Sequence, residues 1–84
     1  MNDLYLTLRS VTPGQKGRDA LQKAGIRCSL LRAPREIAPG GCAYALALRE
    51  QDRSRAQTVL DCSGVRWVGC YRRRADGSFV RTDP

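Results

Sequence analysis

The chain contains no histidine, few aromatic side chains and no long apolar run. Each shortage removes a class of function. Without imidazole there is no Ser-His-Asp triad, no Cys-His pair and no histidine metal site. The four cysteines stand at Cys28, Cys42, Cys62 and Cys70 with no C-x-x-C among them, which removes the zinc-ribbon and thioredoxin spacings. No metal and no cofactor is therefore expected. No segment approaches the roughly eighteen apolar residues of a membrane span. Met1-Asn2-Asp3 followed by Leu4 to Leu8 lacks the basic start and the length of a secretion signal. The expected compartment is the cytoplasm, where cysteines remain free thiols.

What is present is an 84-residue chain, short enough for one domain that buries about 60–65% of its unfolded surface. Fifteen basic side chains face eight acidic ones, a net charge of +7, and all but Lys16 and Lys23 are arginine. Such a bias fits a GC-rich coding sequence as well as it fits bidentate phosphate contacts. The charge permits an acidic partner without naming one.

Leu4, Leu6 and Leu8 alternate with polar residues as a half-buried strand. Thr12-Pro13 reads as a helix start, with Ala20, Leu21 and Ala24 as its apolar stripe and Gly25 as its stop. Gly14 and Gly17 weaken the first turns, so a well-formed helix is expected only from about Arg18. Ile26, Cys28 and Leu30 alternate as a second strand. Arg32 to Gly41 reads as a loop, and Ala43 to Leu48 as a third strand. Asp52 caps a second helix with Ala56, Val59 and Leu60 on one face, ended by Gly64. Val65 to Tyr71 is read as a fourth strand on which Trp67 and Tyr71 share a face. Asp76-Gly77 has the sequence of a two-residue hairpin turn.

The order β-α-β-β-α-β predicts an α+β, ferredoxin-like sandwich: an antiparallel four-stranded sheet with both helices on one face. Residues 1–72 form the expected single domain. Residues 73–84 form a C-terminal extension, either a short fifth strand or a frayed tail. Leu4, Leu6, Leu8, Ile26, Cys28, Leu30, Leu46 and Leu48 are the expected helix-facing residues.

The stretch with chemical character is Ala33-Pro34-Arg35-Glu36-Ile37-Ala38-Pro39-Gly40-Gly41-Cys42-Ala43. Pro34 favours an extended start, and Gly40-Gly41 leaves Cys42 without bulky neighbours on its N-terminal side. A free thiol is only a few per cent thiolate near pH 7, at a pKa of about 8.5. Arg35, with Arg32, is placed to favour that thiolate. A low-pKa thiol beside arginine suits persulfide or selenide transfer. Arg35 is equally readable as a brace for Glu36, and Cys42 as a small residue filling a strand end. Cys28, Cys62 and Cys70 read as packing residues.

These residues resemble the selenium/sulfur carrier protein-like family of small bacterial domains. The resemblance lies in Ser10 after the first strand, Ala24-Gly25-Ile26 ending the first helix, Pro34-Arg35-Glu36-Ile37, and Cys42 before the third strand. Asp52 and Tyr71 also fit, and the likeness spans residues 4–71. Ala43 stands where the family usually has glycine. The resemblance implies sulfur or selenium handling; joined to the reading of the residues, it gives a cytoplasmic carrier with Cys42 as carrier thiol, Arg35 as its stabiliser, and Arg32, Pro34, Glu36, Gly40 and Gly41 as the binding residues around them. Its expected partner is an acidic donor or acceptor protein, with homodimerisation left open.

The alternative is a non-catalytic module contacting nucleic acid or an acidic protein through arginines, with Arg72-Arg73-Arg74 and Arg81 as the densest patch. An enzyme with its own turnover is not expected, because no acid-base or metal constellation is visible.

Overall fold

A computed structural model describes residues 2–38 and 44–82. Nine elements follow in order: β1 (Leu4–Leu8), α1 (Val11–Lys23), β2 (Cys28–Arg32), a 3-10 turn (Arg35–Ile37), β3 (Tyr44–Leu48), a second 3-10 turn (Glu50–Asp52), α2 (Arg53–Cys62), β4 (Gly69–Arg73) and β5 (Phe79–Arg81). The sheet order is β2-β3-β1-β4-β5. Every pair is antiparallel. This is the ferredoxin-like arrangement with a fifth strand added beside β4.

Alternation decides which side of each strand meets the helices. Leu4, Leu6, Leu8, Ile26, Leu46, Leu48 and Cys70 are buried with Leu21, Ala56, Leu60 and Val65 in the main core, and Cys28 and Leu30 pack against it. All the helix-facing residues expected from alternation are in this cluster.

Both helices stop by the same device. After α1, the Gly25 and Ile26 amides donate to the carbonyls of Gln22 and Leu21; after α2, those of Gly64 and Val65 donate to Asp61 and Leu60. The glycines have φ of 78° and 73°. These are Schellman motifs, each followed by a buried β-branched residue, Ile26 and Val65.

The start of α1 differs from expectation. The helix runs from Val11, with Ser10 at the N-cap position. Gly14 and Gly17 do not fray it; they form its contact face together with Leu21. A Cβ on Gly17 would stand 2.9 Å from Leu46 Cδ1 and 3.1 Å from Leu60 Cδ2. The missing side chain lets the helix approach β3 and α2 closely, and this packing outweighs the low helix propensity of glycine.

The fourth strand also begins later than predicted, at Gly69. Val65 to Val68 are not strand, because the Schellman turn directs Val65 into the helix-side core. Trp67 packs on that side, whereas Tyr71 packs on the opposite face. The two aromatics therefore do not share a face. Asp52 holds the N-cap position of α2 without a side-chain cap bond; its carboxylate lies 3.4 Å from Arg49 Nε instead.

The hairpin before β5 has three loop residues, Ala75-Asp76-Gly77, rather than two. The Arg74 amide donates to Ser78 O and the Gly77 amide to Arg74 O, with Gly77 at φ 90°. This is a turn completed by a glycine in the left-handed region. Arg53 donates to the Thr82 hydroxyl and carbonyl, fastening the chain after β5 to α2.

Candidate functional site

The sheet face opposite the helices carries a second apolar cluster of Tyr5, Ile37, Ala45 and Ala47, with Leu31, Ala33, Tyr71 and Phe79 against it. Ile37 belongs to the 3-10 turn and is 2% exposed. Within the segment read from sequence as a loop, Arg35–Ile37 therefore form a 3-10 turn that packs on the sheet. Ala45 and Ala47 on β3 are small where the other face has Leu46 and Leu48, and this asymmetry leaves room for Ile37. The turn is closed by the Ile37 amide donating to Pro34 O (3.1 Å) and the Ala38 amide to Arg35 O (3.3 Å). Pro34, at φ −57° and ψ 146°, starts the turn from an extended conformation.

Arg35 and Glu36 lie on the exposed side of this turn. Arg35 has no ion pair or hydrogen bond among the described residues, and it does not pair with Glu36. Among the described residues its guanidinium is uncommitted. Arg32 differs: its guanidinium carbon lies 5.9 Å from the Tyr44 ring centroid. Arg32 and Tyr44 are opposite one another in the β2–β3 register, on the face of Leu30 and Leu46. The two candidate arginines are thus assigned to opposite faces of the sheet. Gly40, Gly41 and Cys42 lie outside the described residues, as does Ala43.

Cys28, Cys62 and Cys70 form no disulfide. Cys70 is fully buried, as expected for a packing residue. Cys28 is half-buried, and its thiol donates weakly to Arg18 O at 3.8 Å. Burial pushes its pKa above the ordinary thiol value, with the Arg18 charge partly opposing and Asp19 adding to the rise. Cys28 pairs with Leu48, at the other end of the β2–β3 ladder from Tyr44. Cys62 departs from expectation: at the end of α2 it is exposed rather than packed.

Most of the arginine surplus has structural employment. Arg72 bonds Glu50 at 3.1 Å, Arg55 donates to Ala24 O, and Arg18 lies 3.4 Å from Asp19. Arg81 lies over the Tyr71 ring and opposes Tyr71 in register, not the Arg72–Arg74 run. On the face opposite the helices Tyr5, Tyr71 and Phe79 stand together, with Tyr5 buried and packed edge-on against Phe79 at 5.3 Å between ring centroids. No group of acidic and cysteine side chains suited to a metal occurs among the described residues. No helix among them is long and apolar enough to cross a membrane.

Taken together, the fold and the anchored turn define a small ferredoxin-like domain whose distinctive loop is held on the sheet face away from the helices. The chain belongs to the family described as "Putative Se/S carrier protein-like", whose model matches residues 3–72. No curated protein and no solved structure matches the chain.

Proposed function

We propose that the protein carries sulfur or selenium on the thiol of Cys42, with Arg35 as the cation that favours the thiolate. Family membership supports the carrier role in outline. The observation that carries the finer reading is the anchored turn: Ile37 fixes its backbone while Arg35 remains uncommitted, seven residues before the cysteine in sequence. Pro34 starts that turn, Glu36, Gly40 and Gly41 are the further residues assigned to the site, and Arg32 has the secondary role.

In the loading step the Cys42 thiolate attacks the outer sulfur of a donor persulfide. A new S–S bond forms to Cys42 as the donor's S–S bond breaks, and the donor cysteine leaves as a thiolate that takes up a proton. The sulfane sulfur keeps its oxidation state, so no external oxidant or reductant enters. Unloading repeats the exchange, with an acceptor nucleophile attacking the outer sulfur and Cys42 as leaving group. A selenium atom bound as a perselenide would follow the same exchange.

Incubation with a cysteine desulfurase and cysteine, followed by peptide-resolved mass spectrometry, tests the reading. A gain of about 32 Da on the Cys42 peptide is expected, absent in Cys42→Ser and retained in Cys28→Ser. A wild-type chain that takes up no sulfur on Cys42 would overturn it.

A further inference from the structure

Among the described residues, the large hydrophobic side chains that stand exposed are Val11 (37%) and Val68 (44%). Both flank one end of the sheet. Val11 opens α1, two residues beyond Arg9 at the exit of β1, while the Val68 amide donates to Thr7 O at 2.7 Å just before β4. A cleft at this end is lined by Arg9, Pro13, Gly64, Arg66, Trp67 and Val68. Pro13, Trp67 and Val68 supply its apolar lining, and its charged lining residues, Arg9 and Arg66, are both cations. Lys16 Nζ reaches within 4.0 Å of the Cβ position at Gly64, adding a third positive group at the margin. An acidic residue, Asp61, lines the adjoining depression together with Val65, Arg66 and Trp67. The first turn of α1 contains no acidic residue. Unlike Arg18, Arg49, Arg53, Arg55 and Arg72, Arg9 and Arg66 have neither an ion pair nor a hydrogen bond among the described residues.

We propose that this cleft is the docking surface for an acidic segment of the protein that delivers sulfur, with an apolar side chain of that segment seated beside Trp67 and Val68. The inference rests on the carrier reading and deepens it by naming where the donor binds. A persulfide held on a protein does not diffuse; the donor must be brought up by a surface contact, which the +7 chain supplies by charge complementarity. The site lies at the end of the sheet where Leu8 pairs with Tyr44, the first residue of β3. An exposed valine beside a half-buried tryptophan favours protein over nucleic acid, which would use stacking rings and phosphate contacts.

The test uses a cysteine desulfurase with cysteine as donor and reads the initial rate of sulfur gain on the Cys42 peptide. Wild-type loading is expected to fall as salt rises. Arg9→Glu/Arg66→Glu should load about tenfold or more slowly at low salt and lose most of that salt dependence. Val68→Ser should load about threefold more slowly with the salt dependence retained. Alkylation of Cys42 by uncharged iodoacetamide should stay within about twofold in every variant, showing that the thiol and the fold are intact.

If wild type loads and the charge-reversed variant loads equally fast, the docking surface is wrong while the carrier reading stands. If wild type never loads, the carrier reading itself fails and the docking assignment falls with it. If the variant instead loses binding to a labelled single-stranded RNA while loading is unchanged, the cleft serves nucleic acid and the proposal is overturned.

Discussion

The guanidinium carbon of Arg32 lies 5.9 Å from the centroid of the Tyr44 ring, on the helix-bearing face of the sheet. Arg35 stands on a turn packed against the opposite face by Ile37. The two arginines before Cys42 are therefore not interchangeable. Arg35→Ala is expected to lower the rate of Cys42 alkylation at pH 7 by about three- to tenfold, because loss of a cation raises a thiol pKa. Arg32→Ala should change it by less than about twofold, since that guanidinium is engaged with an aromatic ring. Iodoacetamide kinetics in a Cys62→Ser background check both, because exposed Cys62 otherwise reacts as well.

Ile37 holds the turn on the sheet. Ile37→Ala should destabilise the fold by about 2–4 kcal/mol, as expected for truncating a nearly fully buried side chain over Ala45 and Ala47. Urea unfolding measures the loss. A change below about 0.5 kcal/mol would mean that the turn is not anchored as described.

The glycines of α1 make a sharper contrast. At Gly17 an added Cβ would press on Leu46 and Leu60, both fully buried, so Gly17→Ala is expected to cost about 1–3 kcal/mol. At Gly14 the crowding group is the end of half-buried Leu30, 2.7 Å from the Cβ position. That side chain has room to turn aside, and the gain of up to about 1 kcal/mol in helix propensity offsets the displacement. Gly14→Ala should be near neutral. Thermal unfolding of the two variants side by side separates them.

Cys28 links pH to stability through its raised pKa. A thiol harder to ionise folded than unfolded contributes stability that is complete below the unfolded pKa. That contribution is lost as pH rises through the folded value, so the decline begins in the range above the ordinary 9.0. Cys28→Ala should therefore show a flatter fall of stability above about pH 9 than wild type, whatever its cost at neutral pH. Denaturant midpoints at neutral and alkaline pH test the slope.

The helix-facing core was legible because Leu4, Leu6, Leu8, Leu46 and Leu48 obey a strict period of two and belong to the central strands. The helix stops were legible because Gly25 and Gly64 follow the last apolar residues of each helix, and glycine is the usual residue at the left-handed position of a Schellman motif. The second face was harder. Ile37 is a lone apolar residue among Pro, Arg and Glu, and its burial depends on a partner surface far away in sequence. The signal available was on β3, where Ala45 and Ala47 alternate with leucines and leave a shallow face that something else must fill. Period two also misread Val65 to Val68, because a buried residue after a glycine stop imitates the start of a strand. Gly14 and Gly17 read as helix weakeners in sequence because propensity is local, whereas their close approach to Leu30, Leu46 and Leu60 is tertiary. For the candidate site, residue types singled out the Pro34–Ile37 segment; only the β2–β3 register for Arg32 and the packing of Ile37 for the turn that carries Arg35 assigned them to different faces.

The central claim is that Cys42 is the thiol that accepts sulfur. Peptide-resolved mass spectrometry after incubation with a cysteine desulfurase and cysteine tests it most directly. The account predicts a gain of about 32 Da on the Cys42 peptide of wild type, lost in Cys42→Ser and slowed in Arg35→Ala. Sulfur found on exposed Cys62 alone, with Cys42 unmodified, would contradict it.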